Sequence, residues 1–220
     1  MGTTMSFYHI LNRGLSPTEL QKRMKSLAAT AASRADQMLK ALLPPGLLQQ
    51  MCEQASADAA SFCGIFGGGG LPQSNRAVIA YSESAMWLPL FEETLCEGYI
   101  ASSRDAGELS ELFGAPVMAF AIFDSDILFV SYSDAANGTA YDYAKPNSEG
   151  FEEFDAERYS TAFPEFLLEF CGREELKAAW DKPGEVFADD RLGRISQLLQ
   201  MELLYDGSHL PDGYRGIYAV

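Results

Sequence analysis

Two aspartates, Asp124 and Asp126, interrupt an otherwise apolar stretch, VMAFAIFDSDILFVSYSD, that runs from 117 to 134. Carboxylates spaced D-x-D can hold a divalent cation, because such cations prefer hard oxygen ligands. In that role they would present the cation to a nucleotide-sugar phosphate, which needs a nucleotide fold with parallel strands ahead of the motif. The residues around this pair favour something else. Asp-Ser-Asp is a turn former, since these short side chains bond nearby backbone amides. The flanking segments 117–123 and 127–132 have the length and composition of strands. A tight hairpin is therefore the expectation. Asp124 and Asp126 stay as the metal candidates, to be joined by Asp134 or Asp142 if those acids converge on them. The pattern lacks the spacing and glycine of an EF-hand loop.

Other reactive residue types are sparse. His9 lies in an apolar opening stretch, Phe7-Tyr8-His9-Ile10-Leu11, and His209 in a loop beside Asp206 and Asp212. A histidine next to acids can serve as a general base, yet neither a G-x-S-x-G elbow nor an H-E-x-x-H pair is present. Cys52, Cys63, Cys96 and Cys171 are widely spaced. They form no C-x-x-C pair, which argues against a zinc site or a disulfide framework and for free thiols in a reducing cytoplasm. The run Gly67-Gly68-Gly69-Gly70 ends in Leu71-Pro72. A phosphate-cradling loop would end in Gly-Lys-Ser/Thr and open a helix, so the run reads as a linker. No motif asks for a cofactor.

The most suggestive feature is EGFEEFDAERY, residues 149–159. Its acids alternate with aromatics, a combination that can dock a partner: buried rings supply anchors and carboxylates steer a basic surface in. Phe151, Glu152, Glu153, Phe154 and Asp155 are the partner-binding candidates. The plainer reading is a solvated loop whose rings fasten it to the core.

Charge supports the docking reading. Among 220 residues, 31 are acidic and 16 basic, for a net charge of −15. Binding to nucleic acid needs clustered Lys and Arg, so nucleic acid is excluded as a partner and a basic protein is expected. The first fifty residues run the other way, with Arg13, Lys22, Arg23, Lys25, Arg34 and Lys40 against Glu19 and Asp36. A basic helix resting on an acidic body explains this; a helix meeting an anionic membrane is the alternative. No apolar run reaches the roughly 20 residues that span a bilayer, so a membrane location is not expected. A formal myristoylation match at 1–6 is too short to change that.

The elements that must position these residues follow from period and punctuation. Ser16-Pro17-Thr18-Glu19 is a helix start with its cap, first-turn proline and returning glutamate. Leu20, Met24 and Leu27 then recur at helical spacing. Pro44-Pro45-Gly46 stops that helix, and a second over 47–61 would make a helical hairpin. Residues 76–81 read as a strand, and 86–90, which contain Pro89, as an edge strand. A short helix covers 105–113, ended by Gly114. The hairpin at 124–126 and the Asn137-Gly138 turn link three strands into a meander. Its first strand, apolar on both faces, should be central or covered. Helices are expected over 164–171, 174–180 and from Asp189 onward, and a last strand at 214–220.

The profile is similar to small, acidic bacterial immunity proteins: an acidic, aromatic-rich α+β chain with no catalytic signature. No stretch matches closely enough to transfer residues. The resemblance implies neutralisation or regulation of a partner and no chemistry of its own. The expected fold is α+β, an antiparallel meander with helices over one face, preceded by the helical hairpin. The expected division is 1–66, basic and helical; 67–75, the glycine link; and 76–220, the acidic α+β body, all of which can also form one domain.

Overall fold

As a computed structural model, the chain is described over residues 4–42, 77–96, 101–146, 159–171, 174–183 and 187–219, the side chains of 30–42 and 94 excepted. The opening apolar stretch, which the sequence reading left unassigned, is a strand, β1 (Met5–Leu11), buried at every position from 6 to 10. It pairs antiparallel with β3 (Trp87–Glu92) on one side and β4 (Val117–Phe123) on the other. Residues from both sides of the glycine run thus share one sheet. Among the described residues the strand order is β6-β5-β4-β1-β3-β2-β7, with β2 at Ala77–Tyr81, β5 at Ile127–Asp134, β6 at Thr139–Pro146 and β7 at Arg215–Tyr218. Every neighbouring pair is antiparallel.

The meander forms as its turn residues dictate. Asp124 and Ser125 both adopt positive φ, 50° and 60°, the backbone that a tight hairpin between right-twisted strands requires. The Asp126 N–H donates to the Phe123 carbonyl at 3.0 Å. At the second turn only Gly138 is left-handed, with φ 64°. As expected from its two apolar faces, β4 is an interior strand, between β5 and β1, and is covered on both faces.

Two expectations need correction. β3 is an interior strand between β1 and β2, not an edge. Pro89 is tolerated there because the β2–β3 register runs only from Ala77↔Glu92 to Ile79↔Leu90. The proline lies one residue past the end of that ladder, so its missing N–H breaks nothing on that side. Helices also cover both faces of the sheet rather than one. Alternation along β4 sends Val117, Ala119 and Ala121 to one core and Met118, Phe120 and Ile122 to the other. A seven-stranded sheet with two apolar faces exposes too much to water unless both are covered.

The first face carries α1 (Pro17–Leu42) and α3 (Ser103–Phe113). α1 begins as expected, with Ser16 Oγ accepting the Glu19 N–H at 3.2 Å, and buries Leu20, Met24 and Leu27. α3 starts two residues before the expected position, because Ser102 and Asp105 form a reciprocal capping box. Gly114, left-handed at φ 55°, ends it. Between β3 and α3 lies the short α2 (Glu93–Cys96). On the second face, a 3-10 turn at Glu165–Leu167 leads into α4 (Leu168–Cys171), then α5 (Glu175–Trp180) and α6 (Ala188–Leu199). These bury Leu176, Trp180, Leu192, Ile195 and Leu199. The expected second helix at 47–61 and the glycine run lie outside the described residues. No described helix is long and apolar enough to cross a membrane.

Candidate functional site

A groove of about 840 Å³ opens between the β2–β3 turn, the last turns of α6 and residues 201–214. Its geometry begins with how α6 ends. Gln200 is left-handed at φ 56° and its N–H returns to the carbonyls of Gln197 and Ser196, while the Met201 N–H bonds Ser196 O at 2.8 Å. This closes the helix and turns the chain back across β1. Met201 and Leu204 are buried in the two cores, so Glu202 and Tyr205 face outward and both are exposed. Contacts among the described residues hold this segment to β1. The His9 Nε2–H donates to the Glu202 carbonyl at 2.8 Å. The Tyr205 ring stands edge-on to Phe7, with centroids 5.0 Å apart. Met86, 45% exposed, also lines the groove. A smaller groove of about 610 Å³, lined by Asn12, Tyr81 and Glu83, lies against the same turn and shares Met86.

The lining of the larger groove has two carboxylates, Glu202 and Asp212, and no Lys or Arg among the described residues. Neither acid has an ion pair among the described residues, whereas acids elsewhere do: Asp134 with Arg13 at 3.9 Å, Asp181 with Lys145 at 2.5 Å, Glu165 with Lys177 at 3.2 Å. The C-terminal end of α6, with its partial negative charge, adds to the field. Burial, with Glu202 nearby, pushes the Tyr214 phenol up. Burial, with Asp189 nearby, does the same to Tyr205.

The candidate reactive groups do not assemble. Asp124 and Asp126 sit in the exposed hairpin turn, and Asp134 and Asp142 are engaged elsewhere. Asp142 accepts from the Ser103 N–H at 2.8 Å and from Ser131 Oγ at 2.6 Å, tying the start of α3 to the meander. Asp134 accepts from Asn137 Nδ2 at 2.7 Å. Among the described residues no group of three or more His, Cys, Asp or Glu is placed to hold a metal ion. His9 is fully buried, and burial pushes its pKa down to about 4, against a smaller upward pull from the Glu202 carbonyl. It is a neutral structural donor.

The loop at 206–209 brings Asp206, Ser208 and His209 together, but in the wrong order for nucleophilic catalysis. A triad places its hydroxyl on one imidazole nitrogen and its carboxylate on the other. Here Ser208 Oγ lies 3.3 Å and Asp206 Oδ2 3.0 Å from the same nitrogen, Nδ1. Ser208 Oγ also donates to Asp206 at 2.7 Å. Hydrogen bonds from Ser208 and then His209 hold the Asp206 carboxyl well below the usual range. The cluster is a self-bonded turn.

Phe151, Glu152, Glu153, Phe154 and Asp155 lie outside the described residues. The aromatics that follow them are anchors: Phe166 packs on Tyr132 and Tyr141 at 5.0 and 5.3 Å, and Phe170 meets Trp87 at 4.9 Å. The sequence reading missed the groove. The signal was present in 202–214, where Glu202, Tyr205, Asp206, Asp212 and Tyr214 interleave acids with aromatics, as 149–159 does. His209 drew attention there instead. Comparison with protein-family models, with curated proteins and with solved structures found no match.

Proposed function

We propose that this chain is a non-catalytic protein-interaction module that captures a basic partner, in the manner of an immunity protein. The observation that carries the reading is the groove beside the end of α6, whose described lining has Glu202 and Asp212 and no compensating cation. An acidic body with net charge −15 would speed encounter with a basic surface. Exposed Tyr205 and Met86 would supply contact area once water is displaced. The acidic–aromatic residues Phe151 to Asp155 are a second contact under the same reading.

Capture from the native host's extract, identification by mass spectrometry and reconstitution with the purified partner form the test. A one-to-one complex with a basic protein, with neither chain altered chemically, is the expected result. A partner without a basic face, or conversion of the bound molecule, overturns the reading.

A further inference from the structure

We infer that the groove beside the end of α6 binds an extended, arginine-bearing segment of the partner, with Glu202 and Asp212 as the charge partners and Tyr205 as the stacking surface. This rests on the basic-partner reading and specifies its site and chemistry.

Shape argues for a segment of chain. The groove holds about 840 Å³, opens to solvent, and is lined by residues of the β2–β3 turn, the last turns of α6 and residues 201–214. An enclosed pocket would suit a compact ligand; an open trough suits an extended one. Charge selects a cation. Two exposed carboxylates without ion pairs among the described residues line the same groove, and so do the last turns of α6, the negative end of that helix.

Ring placement then selects arginine over lysine. Tyr205 is 59% exposed, yet its orientation is fixed by its edge contact with Phe7. A preoriented ring that lines the same groove as these carboxylates can receive a planar guanidinium face-on while its N–H fork is directed to the acids. A lysine ammonium, strongly hydrated and without a plane, gains less from the same arrangement. Among the described residues this pairing is seen where the Arg215 guanidinium lies 4.9 Å from the centre of the Tyr81 ring.

The probe is a fluorescein-labelled peptide of nine residues carrying three arginines among glycines and serines, and its lysine and citrulline counterparts, read by anisotropy across a salt series. The expected order is arginine, then lysine, then citrulline, with affinity falling as salt rises. Because Glu202 and Asp212 are exposed, the double variant E202Q/D212N should keep its melting temperature and lose roughly tenfold in affinity or more. Tyr205→Leu should compress the arginine–lysine difference to about nothing. The control variant E111Q/E174Q, which removes two exposed carboxylates outside the groove, should bind as the parent does. Unchanged binding by E202Q/D212N, or an equal loss by E111Q/E174Q, overturns the groove assignment and leaves the basic-partner reading standing. Equal affinity for the arginine and lysine peptides overturns the stacking role. Absence of salt-sensitive binding to any of the three overturns the inference, while the basic-partner reading is decided by its own reconstitution.

Discussion

The imidazole of His9, in the middle of the central strand, donates its Nε2–H to the carbonyl of Glu202, 193 residues away in sequence, at 2.8 Å. A carbonyl only accepts, so this bond fixes the tautomer and leaves Nδ1 as a bare, buried nitrogen with no partner among the described residues. Phe120 stacks edge-on against the ring at 5.9 Å. Protonation would put an N–H into that apolar setting.

The first prediction follows from that bond. His9 has a folded-state pKa of about 4 against 6.5 when unfolded. The unfolded chain therefore binds more protons in that window. Its stabilising effect is complete above pH 6.5 and is lost as pH falls toward 4, by about 3 kcal/mol in all. His9→Gln retains a side-chain donor but takes up no proton. Urea denaturation at a series of pH values should show the parent losing stability more steeply than H9Q between pH 6.5 and 4. Parallel curves would show that His9 is not the group responsible.

Asp142 joins α3 to the meander through Ser103 and Ser131. An asparagine side chain at this position keeps the shape but replaces one accepting oxygen with a donor, and a serine hydroxyl or the helix-start N–H loses its acceptor. The expected loss for Asp142→Asn is about 2 kcal/mol. It would be read as a lower urea midpoint at unchanged slope. Ser131→Ala should lose less, about 1 kcal/mol, because only one bond goes.

Gly114 ends α3 in the left-handed region at φ 55°, and a Cβ there would come within 2.9 Å of Arg23 Nη1. That guanidinium donates to the Leu112 carbonyl at 3.0 Å and bonds Glu19 at 2.6 Å. Gly114→Ala should destabilise by about 1–2 kcal/mol from backbone strain, with more added by the displaced arginine. In the Arg23→Ala background the added part should vanish while the backbone part persists. A double-mutant cycle on melting temperature separates the two.

The Asp124–Ser125 turn places two non-glycine residues at positive φ. The double variant D124N/S125G should stabilise the hairpin by about 0.5–1 kcal/mol, because asparagine followed by glycine adopts such a backbone with less strain. The same variant removes one carboxylate of the D-x-D pair. A rise in melting temperature that is the same with and without magnesium is the expected outcome. A magnesium-dependent stabilisation present in the parent and absent in the variant would restore the metal reading.

The features legible before any fold was known are local ones: the capped start of α1, the Asp-Ser-Asp reversal, the strands around it, the Gly114 stop and the face of α6 that carries Leu192, Ile195, Leu198 and Leu199. Each depends on residues within a turn or two of one another, where backbone preference and periodicity act. Long-range packing settled the remainder. Phe7 to Leu11 became the central strand only because β3 and β4 arrive from later in the chain to pair with it. Pro89 could enter the interior because its ladder with β2 stops one residue short. The groove combines the β2–β3 turn with the end of α6 and residues 202–214, and the His9–Glu202 bond is among the contacts that hold the last of these in place. No spacing rule reaches across such distances in sequence, since only burial on both faces of the sheet brings those segments together.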